Sequence, residues 1–423
     1  MRNLKYIYII ALASMAAVCS PKGNGTGIAT LSTSASARGP YLTHDHQGRP
    51  VICWTEKNDA GVYRLSFALY DATSRRFGPA IAVGGSEGIS TSPESMGKIA
   101  FKSDGTVVAV FAKPFKQEKN PFAGGIYYSM SNDMGATWSP PKFLHTDTAH
   151  HYGRNFFDIA RLGNGEVGAV WLDGRDTTVQ GSTLYFAATG SGTGFNGETV
   201  VHRGTCECCR TDLLVDDGGT IHVAYRSIMY PTARFGEQVR DMAYVRSEDN
   251  GQTFSNELTI SPDNWAIRAC PHSGPALAAE GEHIHALWFT AGGGSALYHT
   301  HTDKQGFKQR TLISQTGSHP QLALWSIDTV VAVYEDAHSP HTGAHHHHES
   351  DKMPTAVTPR VVLHPIVRGQ PLQQVVIADH EGGTYPVATR MDKGILVAWM
   401  RETANGSAIS YTIYSFADKP QFH

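Results

Sequence analysis

The chain repeats one short pattern seven times, and this repetition constrains its fold more than any other feature. Each copy is a polar turn followed by a short β-type run that ends on an aromatic residue. The aromatics lie 46 to 65 residues apart and are Trp54, Phe111, Trp171, Tyr225, Trp288, Tyr334 and Trp399. A period near 50 residues, with only strands in each unit, is typical of a β-propeller. We therefore predict an all-β, seven-bladed propeller.

Composition and charge agree with this fold class and exclude one kind of partner. The 423 residues include 43 glycines, and only 17% are charged, as suits many short strands joined by tight turns. No long segment has the apolar period of a helix. The 35 basic residues are balanced by 38 acidic ones, so the chain lacks the basic field that nucleic-acid binding needs. We predict no nucleic-acid partner.

The first residues have the character of an export signal. Arg2 and Lys5 precede an apolar stretch, residues 6–17, that is too short to span a bilayer. The following Ala16-Ala17-Val18-Cys19 resembles the lipobox of bacterial lipoproteins. This resemblance implies a signal peptide over residues 1–18 and acylation of Cys19, with residues 19–27 as a tether. It places the protein on the outer membrane, facing the periplasm or the cell surface. Val18 departs from the usual small residue, so ordinary secretory cleavage stays open.

Two segments of one pattern indicate the kind of propeller. Residues 131–138 and 247–254 both fit S-x-D-x-G-x-T-W/F. In such a turn the aspartate caps backbone amides and the glycine takes a positive φ. The pattern resembles the Asp-box (BNR repeat) of sialidases and related propellers. This resemblance implies that both turns join the third and fourth strands of a blade, on the face away from the pocket.

The N-terminal segment of the mature chain is predicted to close the ring. Residues 28–423 form a single propeller domain, and its last unit, from Tyr385 to Phe416, holds only three strands. Residues 28–35 then supply the fourth, which removes the open edge. Sialidases have six blades, so a six-bladed ring is the alternative.

Propeller topology gathers many polar residues around one axial pocket. The connections between blades and the loops between second and third strands lie on the same face, where a binding site is expected. The loops include Glu335 and Asp336. The candidate ligand-binding residues are Arg38, Arg154, Arg175, Arg210, Arg226 and His319. We predict that they bind a small ligand or a glycan.

The cysteines suggest the most specific chemistry. Cys206, Cys208 and Cys209 precede the fourth blade, and Cys270 and His272 precede the fifth. Thiolate and imidazole suit copper or zinc, so soft-metal binding is the leading prediction. Disulfides, expected in an oxidising compartment, and redox-active thiols stay open as alternatives. A separate cysteine beside Trp54, Cys53, is predicted to be a buried apolar residue.

An enzymatic interpretation also stays open. The resemblance to sialidases implies hydrolysis of a terminal sialic acid by three arginines, a Tyr–Glu nucleophile pair and an aspartic acid. Arg38-Gly39-Pro40 is similar to the family's R-I-P motif, with glycine in place of isoleucine. Asp173, Asp176 and Tyr385 are the catalytic candidates, although the sequence shows no evident Tyr–Glu pair. Exo-glycosidase is therefore the second interpretation, and a non-catalytic module that docks onto an outer-membrane protein is the third.

Overall fold

A computed structural model describes residues 27–31, 35–232, 237–267, 269, 271–337, 358–378 and 382–415. These residues form strands and no helix, so the predicted all-β class is confirmed. The first strand, β1 (Ala29–Thr30), is followed by two antiparallel units. The first unit holds β2 (Arg38–His44), β3 (Pro50–Lys57), β4 (Tyr63–Asp71), β5 (Arg76–Phe77) and β6 (Ile81–Ala82). The second unit holds β7 (Lys98–Phe101), β8 (Val107–Pro114), β9 (Gly124–Ser131) and β10 (Lys142–Phe143).

The next three units have the same meander of antiparallel strands. The third holds β11 (Arg154–Arg161), β12 (Val167–Asp173), β13 (Ser182–Thr189) and β14 (Phe195–Thr205). The fourth holds β15 (Asp212–Val215), β16 (Ile221–Ile228), β17 (Arg240–Ser247) and β18 (Leu258–Thr259). The fifth holds β19 (Ala276–Glu280), β20 (His283–Thr290), β21 (Ala296–Asp303), β22 (Gly306–Phe307) and β23 (Thr311–Ser314).

Two further units complete the described chain. The sixth holds β24 (Gly317–Ser326), β25 (Thr329–Asp336), β26 (Arg360–Val367), β27 (Gln370–Pro371) and β28 (Val375–Ala378). The seventh holds β29 (Thr384–Met391), β30 (Gly394–Thr403) and β31 (Gly406–Tyr414). Strand β1 pairs with β31, Ala29 opposite Tyr411 and Thr30 opposite Ser410, and so adds the fourth strand to this last unit.

The units form a closed ring. The innermost strands contact one another in the order β2, β7, β11, β15, β19, β24 and β29, and β29 returns to β2. An apolar cluster fills each interface between neighbouring units, including the interface between the seventh and the first. The arrangement is a β-propeller with its axis lined by the innermost strands. No helix long and apolar enough to cross a membrane occurs among the described residues.

The repeated aromatics lie at equivalent places in the ring. Each of the seven sits on the second strand of its unit and is at most 1% exposed. A fully buried large apolar side chain stabilises a fold by about 1.5–3 kcal/mol, so these positions anchor every blade between its neighbours. Cys53, on the same strand as Trp54, is fully buried as predicted.

The two predicted aspartate turns have the expected geometry. Asp133 Oδ1 accepts a hydrogen bond from the Thr137 amide at 2.8 Å, and Gly135 has a φ of 94°. Asp249 accepts the equivalent bond from the Thr253 amide at 2.9 Å. Both turns follow the third strand of their units, on the face away from the connections between units.

A bulge recurs where four of the innermost strands begin. The pairing of first and second strands shifts register near the start of β2, β11, β24 and β29. The residues with positive φ at these bulges are Gly39, Phe156, His319 and Tyr385. Non-glycine residues rarely adopt this conformation, and such strain concentrates at functional sites.

Candidate functional site

Five polar side chains from four units meet at the axial mouth. Glu94 lies in the connection into the second unit and Arg210 in the connection into the fourth, whereas His319 and Glu335 belong to the sixth unit and Tyr385 to the seventh. We call these five residues the mouth cluster. Because they come from distant parts of the sequence, only closure of the ring assembles them.

His319 is the centre of the mouth cluster. Its Nε2 lies 2.7 Å from Glu94 Oε1, and its Nδ1 lies 2.6 Å from Glu335 Oε1. Burial lowers the pKa of an imidazole, but hydrogen bonds and charges from Glu335 and Glu94 outweigh it and raise the pKa of His319 to about 9. His319 is therefore a cation at neutral pH, held between two carboxylates.

Tyr385 packs directly against this imidazole. The two ring centroids are 4.3 Å apart, and the Tyr385 amide donates to Glu335 Oε2 at 2.9 Å. Burial, together with the charges of Glu94 and Glu335, raises the pKa of Tyr385 to about 12, so its phenol is neutral at physiological pH. The sequence showed no evident Tyr–Glu pair, yet the fold places Tyr385 beside two glutamates. These glutamates belong to other units of the ring, so the sequence alone does not show them next to Tyr385.

Arg210 contributes a second positive charge. Its Nε lies 3.1 Å from Glu94 Oε2, and its side chain is 9% exposed. Its Nη2 is buried and has no hydrogen-bond partner among the described residues. A buried guanidinium donor without a partner is costly, and an incoming anionic group would satisfy it.

The charge on His319 predicts a titration that can be measured. A histidine whose folded pKa is raised adds stability that is complete below its unfolded pKa of about 6.5 and is lost as pH rises through about 9. We expect the His319 ring signals in an NMR titration to change near pH 9. Glu94→Gln should move this midpoint down toward 6.5. A midpoint near 6.5 in the unmodified protein would contradict the assignment.

Two predicted ligand-binding arginines and one predicted catalytic aspartate form ion pairs in the third unit. Arg154, whose side chain is fully buried, pairs with the fully buried Asp173 at 3.0 Å and donates to the Ala149 carbonyl at 2.7 Å. Arg175 contacts the same Asp173 at 2.9 Å and Glu198 at 3.0 Å. Arg154, Arg175 and Asp173 are therefore paired with protein groups, although Arg175 Nε, like Arg210 Nη2, is buried without a hydrogen-bond partner among the described residues. Their roles as ligand-binding and catalytic residues stay predictions.

The remaining candidates also have protein partners. Arg226 is 1% exposed, and its guanidinium donates to the carbonyls of Arg240 and Phe289. Asp176 accepts hydrogen bonds from the hydroxyl and the amide of Thr178. The hydroxyl bond is the largest cause of the lowered pKa of Asp176. Arg38 lies over the Tyr63 ring, with its Cζ 5.4 Å from the ring centroid. Of the predicted residues, only Arg210, His319 and Tyr385 belong to the mouth cluster.

Glu94 is the mouth-cluster residue that sequence reasoning missed. It lies in a connection between units, as Arg210 does, whereas Arg38 and Arg154 are the first residues of innermost strands. A complete survey of these connections would have included it. Its pairing with His319, 225 positions away in the chain, has no local sequence signal.

Cys206, Cys208 and Cys209 form a second group, which we call the cysteine cluster. Their Sγ atoms all lie within 4.8 Å of one another, and all three residues are buried. Cys208 is disulfide-bonded, whereas Cys206 and Cys209 are free thiols. A bonded sulfur is not a thiolate, so at Cys208 the structure favours the disulfide alternative, and metal binding by the cysteine cluster stays a prediction. Cys270 lies outside the described residues, as does the predicted anchor Cys19.

Two cavities mark the two faces of the propeller. A cavity of about 680 Å³ on the mouth side is lined by residues of the second, third and fourth units, including Ser92, Arg154, Cys208 and His272. A cavity of about 840 Å³ on the opposite face lies between the first and seventh units, beside Tyr70 and Arg390. Cys208 and His272 line the mouth-side cavity, whose lining includes none of the five mouth-cluster residues.

Comparison with known proteins bears on the fold. No protein-family model and no curated protein matches the chain. The polysaccharide lyase Uly1 is similar in structure at 9% identity and a TM-score of 0.54, covering 93% of this chain and 92% of the lyase. A PL25 ulvan lyase has a TM-score of 0.53 at 9% identity, covering 92% of this chain and 94% of its own. A Hadza microbial sialidase, Hz136, has a TM-score of 0.45 at 12% identity, covering 84% of this chain and 73% of the sialidase.

Proposed function

We propose that the axial mouth binds an acidic saccharide and cleaves its glycosidic bond by hydrolysis. The observation that carries this proposal is the convergence of the mouth cluster from four units onto the propeller axis. A partly buried histidine cation, a buried arginine with a free donor, two carboxylates and a strained tyrosine form a costly arrangement. Such arrangements concentrate where a protein acts on a ligand.

Binding in this proposal rests on the two cations. Arg210 Nη2, buried without a hydrogen-bond partner among the described residues, donates to a carboxylate of the sugar. His319, with its pKa raised to about 9, adds positive charge next to it. The cluster without ligand is neutral overall, because Glu94 and Glu335 balance the two cations. The acidic sugar is therefore recognised by a hydrogen bond from Arg210 Nη2 rather than by a net positive charge of the mouth cluster.

Cleavage in this proposal rests on Tyr385. Its phenol attacks the anomeric carbon while a carboxylate accepts the phenolic proton, and the bond from that carbon to the glycosidic oxygen breaks. The departing oxygen takes a proton from water. A second water then hydrolyses the tyrosyl–sugar bond, the phenol regains its proton and the carboxyl group releases the proton that it accepted. A tyrosine is suited to an acidic sugar because a negatively charged nucleophile would be repelled by the substrate's own carboxylate. Glu94 is the proton acceptor in this proposal, because its negative charge acts on Tyr385 and the other carboxylate, Glu335, is already hydrogen-bonded. Glu335 already accepts bonds from His319, Ser318 and the Tyr385 amide, and it positions the tyrosine.

The polysaccharide lyases among the structural neighbours support a saccharide as the ligand. Their identity to this chain is low, so the residues of the mouth cluster, and not the neighbours, carry the choice of reaction. The lyases favour a polymer over a free sugar as the substrate class.

The experiment is a product assay on matched substrates. We expect acidic oligosaccharides to yield new reducing ends, and the same oligosaccharides with their carboxyl groups reduced to alcohols to yield far fewer. Loss of one charge-assisted hydrogen bond costs about 1.5–3 kcal/mol, which is about 10- to 100-fold in kcat/KM. Unsaturated sugar ends, seen by ultraviolet absorbance, would show elimination and contradict hydrolysis. Equal rates on both substrates would contradict the role of Arg210.

The geometry supports metal binding by the cysteine cluster less well than it supports ligand binding by the mouth cluster. The three sulfurs are close enough to share an ion, but the disulfide at Cys208 leaves two thiols, fewer than the four ligands of a structural zinc site. Binding of copper or zinc, docking to an outer-membrane protein and lipid anchoring at Cys19 stay predictions. Elemental analysis of protein purified without chelator tests the metal.

A further inference from the structure

The mouth-side cavity adjoins the mouth cluster through two shared chain segments. Ser92 lines the cavity and Glu94 belongs to the mouth cluster, and both lie in the connection between β6 and β7. Cys208 lines the cavity and Arg210 belongs to the mouth cluster, and both lie in the connection between β14 and β15. Consecutive Cα atoms are about 3.8 Å apart, so the two Cα atoms of each pair are at most about 7.6 Å apart. A ligand that is bound at the mouth cluster and is longer than one sugar residue can therefore extend into the cavity.

Phe122 gives this cavity an exposed aromatic ring. It lies in the loop between β8 and β9, lines the cavity and is 86% exposed, more than any other large apolar residue that the structure describes. Covering a large apolar side chain is favourable, so a ligand that lies on this ring gains binding energy. Single exposed apolar residues are common on protein surfaces, but this one borders a cavity next to the mouth cluster.

The loop holds Phe122 in a fixed place. The Phe122 amide donates to Asn120 Oδ1 at 3.0 Å, and Asn120 Nδ2 donates to the His151 carbonyl at 3.0 Å. The Gly124 amide donates to the Tyr152 carbonyl at 3.1 Å. These bonds join the loop of the second unit to the connection that precedes the third unit. A ring that is held in place before binding loses little conformational freedom when a ligand covers it.

Uncharged polar groups accompany this ring. Ser90, Ser92 and Asn155 line the same cavity and carry hydroxyl and amide groups. The charged residues of the lining include Arg154 and Glu207, which pair with Asp173 at 3.0 Å and with Arg240 at 3.3 Å. A sugar presents an apolar face of C–H groups and a rim of hydroxyl groups. An exposed ring beside several hydrogen-bonding groups therefore fits a sugar residue better than it fits an ion or a purely apolar ligand.

We propose that the mouth-side cavity is a subsite for a second residue of the acidic saccharide, in which the apolar face of that sugar stacks on Phe122. This inference rests on the proposed function, because the first sugar residue is the one whose carboxylate Arg210 binds. It makes the substrate an oligosaccharide or a polymer rather than a free sugar. It also places the rest of the saccharide chain over the second and third units.

Binding of a uronic-acid monosaccharide and of the corresponding hexasaccharide tests the subsite. Titration calorimetry is carried out on the Tyr385→Phe protein, so that cleavage does not alter the ligands. We expect the hexasaccharide to bind at least about 10-fold more tightly than the monosaccharide, a gain of about 1.4 kcal/mol from covering the Phe122 ring. Phe122→Ala should abolish this gain, so that the hexasaccharide binds about as weakly as the monosaccharide. Phe122→Trp, which keeps an aromatic ring, should retain the gain.

A second exposed aromatic residue provides the matched control. Tyr230 follows β16, is 62% exposed and is not among the residues that line the cavity, so Tyr230→Ala should leave the gain intact. Because both residues are exposed, neither alanine substitution should change the melting temperature. A gain that survives Phe122→Ala, or that Tyr230→Ala removes equally, would overturn the subsite and leave saccharide binding at Arg210 in place. Failure of both saccharides to bind would contradict the proposed function, and the subsite with it.

Discussion

The Tyr385→Phe variant is expected to lower kcat/KM on an acidic oligosaccharide by at least about 10²-fold while leaving the melting temperature nearly unchanged. The substitution removes the phenolic oxygen that attacks the sugar, and positioned acid–base and nucleophilic groups contribute at least this much. The ring still packs against His319 and the amide still donates to Glu335, so the local structure is kept. Steady-state kinetics and thermal unfolding measure the two effects.

A matched tyrosine on the other face provides the control. Tyr70 is 4% exposed and lies beside the cavity opposite the mouth, so Tyr70→Phe makes the same chemical change away from the mouth cluster. We expect its kcat/KM to stay close to that of the unmodified protein. If Tyr70→Phe lost as much activity as Tyr385→Phe, the active face would be misassigned.

The second large effect concerns stability. Arg154→Met is expected to lower the free energy of unfolding by about 3–5 kcal/mol, because it leaves the buried Asp173 carboxylate without one of its two arginine partners. Urea unfolding measures this change. Arg368→Met is the control, since Arg368 forms an exposed pair with Asp328 and such pairs contribute about 1 kcal/mol or less. If Arg154→Met kept normal stability but bound the saccharide more weakly, the prediction would be contradicted, and Arg154 would be a ligand-binding residue.

The repeated aromatics made the fold predictable from sequence. Trp54 and its six counterparts recur because each second strand must be buried on both faces, and this requirement is local. The turns at Asp133 and Asp249 were predictable for the same reason, since their hydrogen bonds span only four residues. Patterns that a few neighbouring residues create can be recognised without knowing the ring.

The site was predicted less well because its contacts are not local. Arg154 and Arg210 both lie near the start of an innermost strand and look alike in sequence, yet Arg154 pairs with Asp173 and Arg210 pairs with Glu94. The strained backbone of His319 and Tyr385 follows from bulges that sequence does not show. Close spacing of Cys206, Cys208 and Cys209 pointed to a cluster, but spacing alone does not separate a disulfide sulfur from a metal ligand.

A crystal structure of the Tyr385→Phe variant with an acidic oligosaccharide tests the central claim most directly. The account predicts a sugar carboxylate within hydrogen-bond distance of Arg210 Nη2, and an anomeric carbon facing the ring of residue 385. A saccharide seated in the opposite cavity beside Tyr70 and Arg390, with the mouth cluster free of ligand, would contradict it.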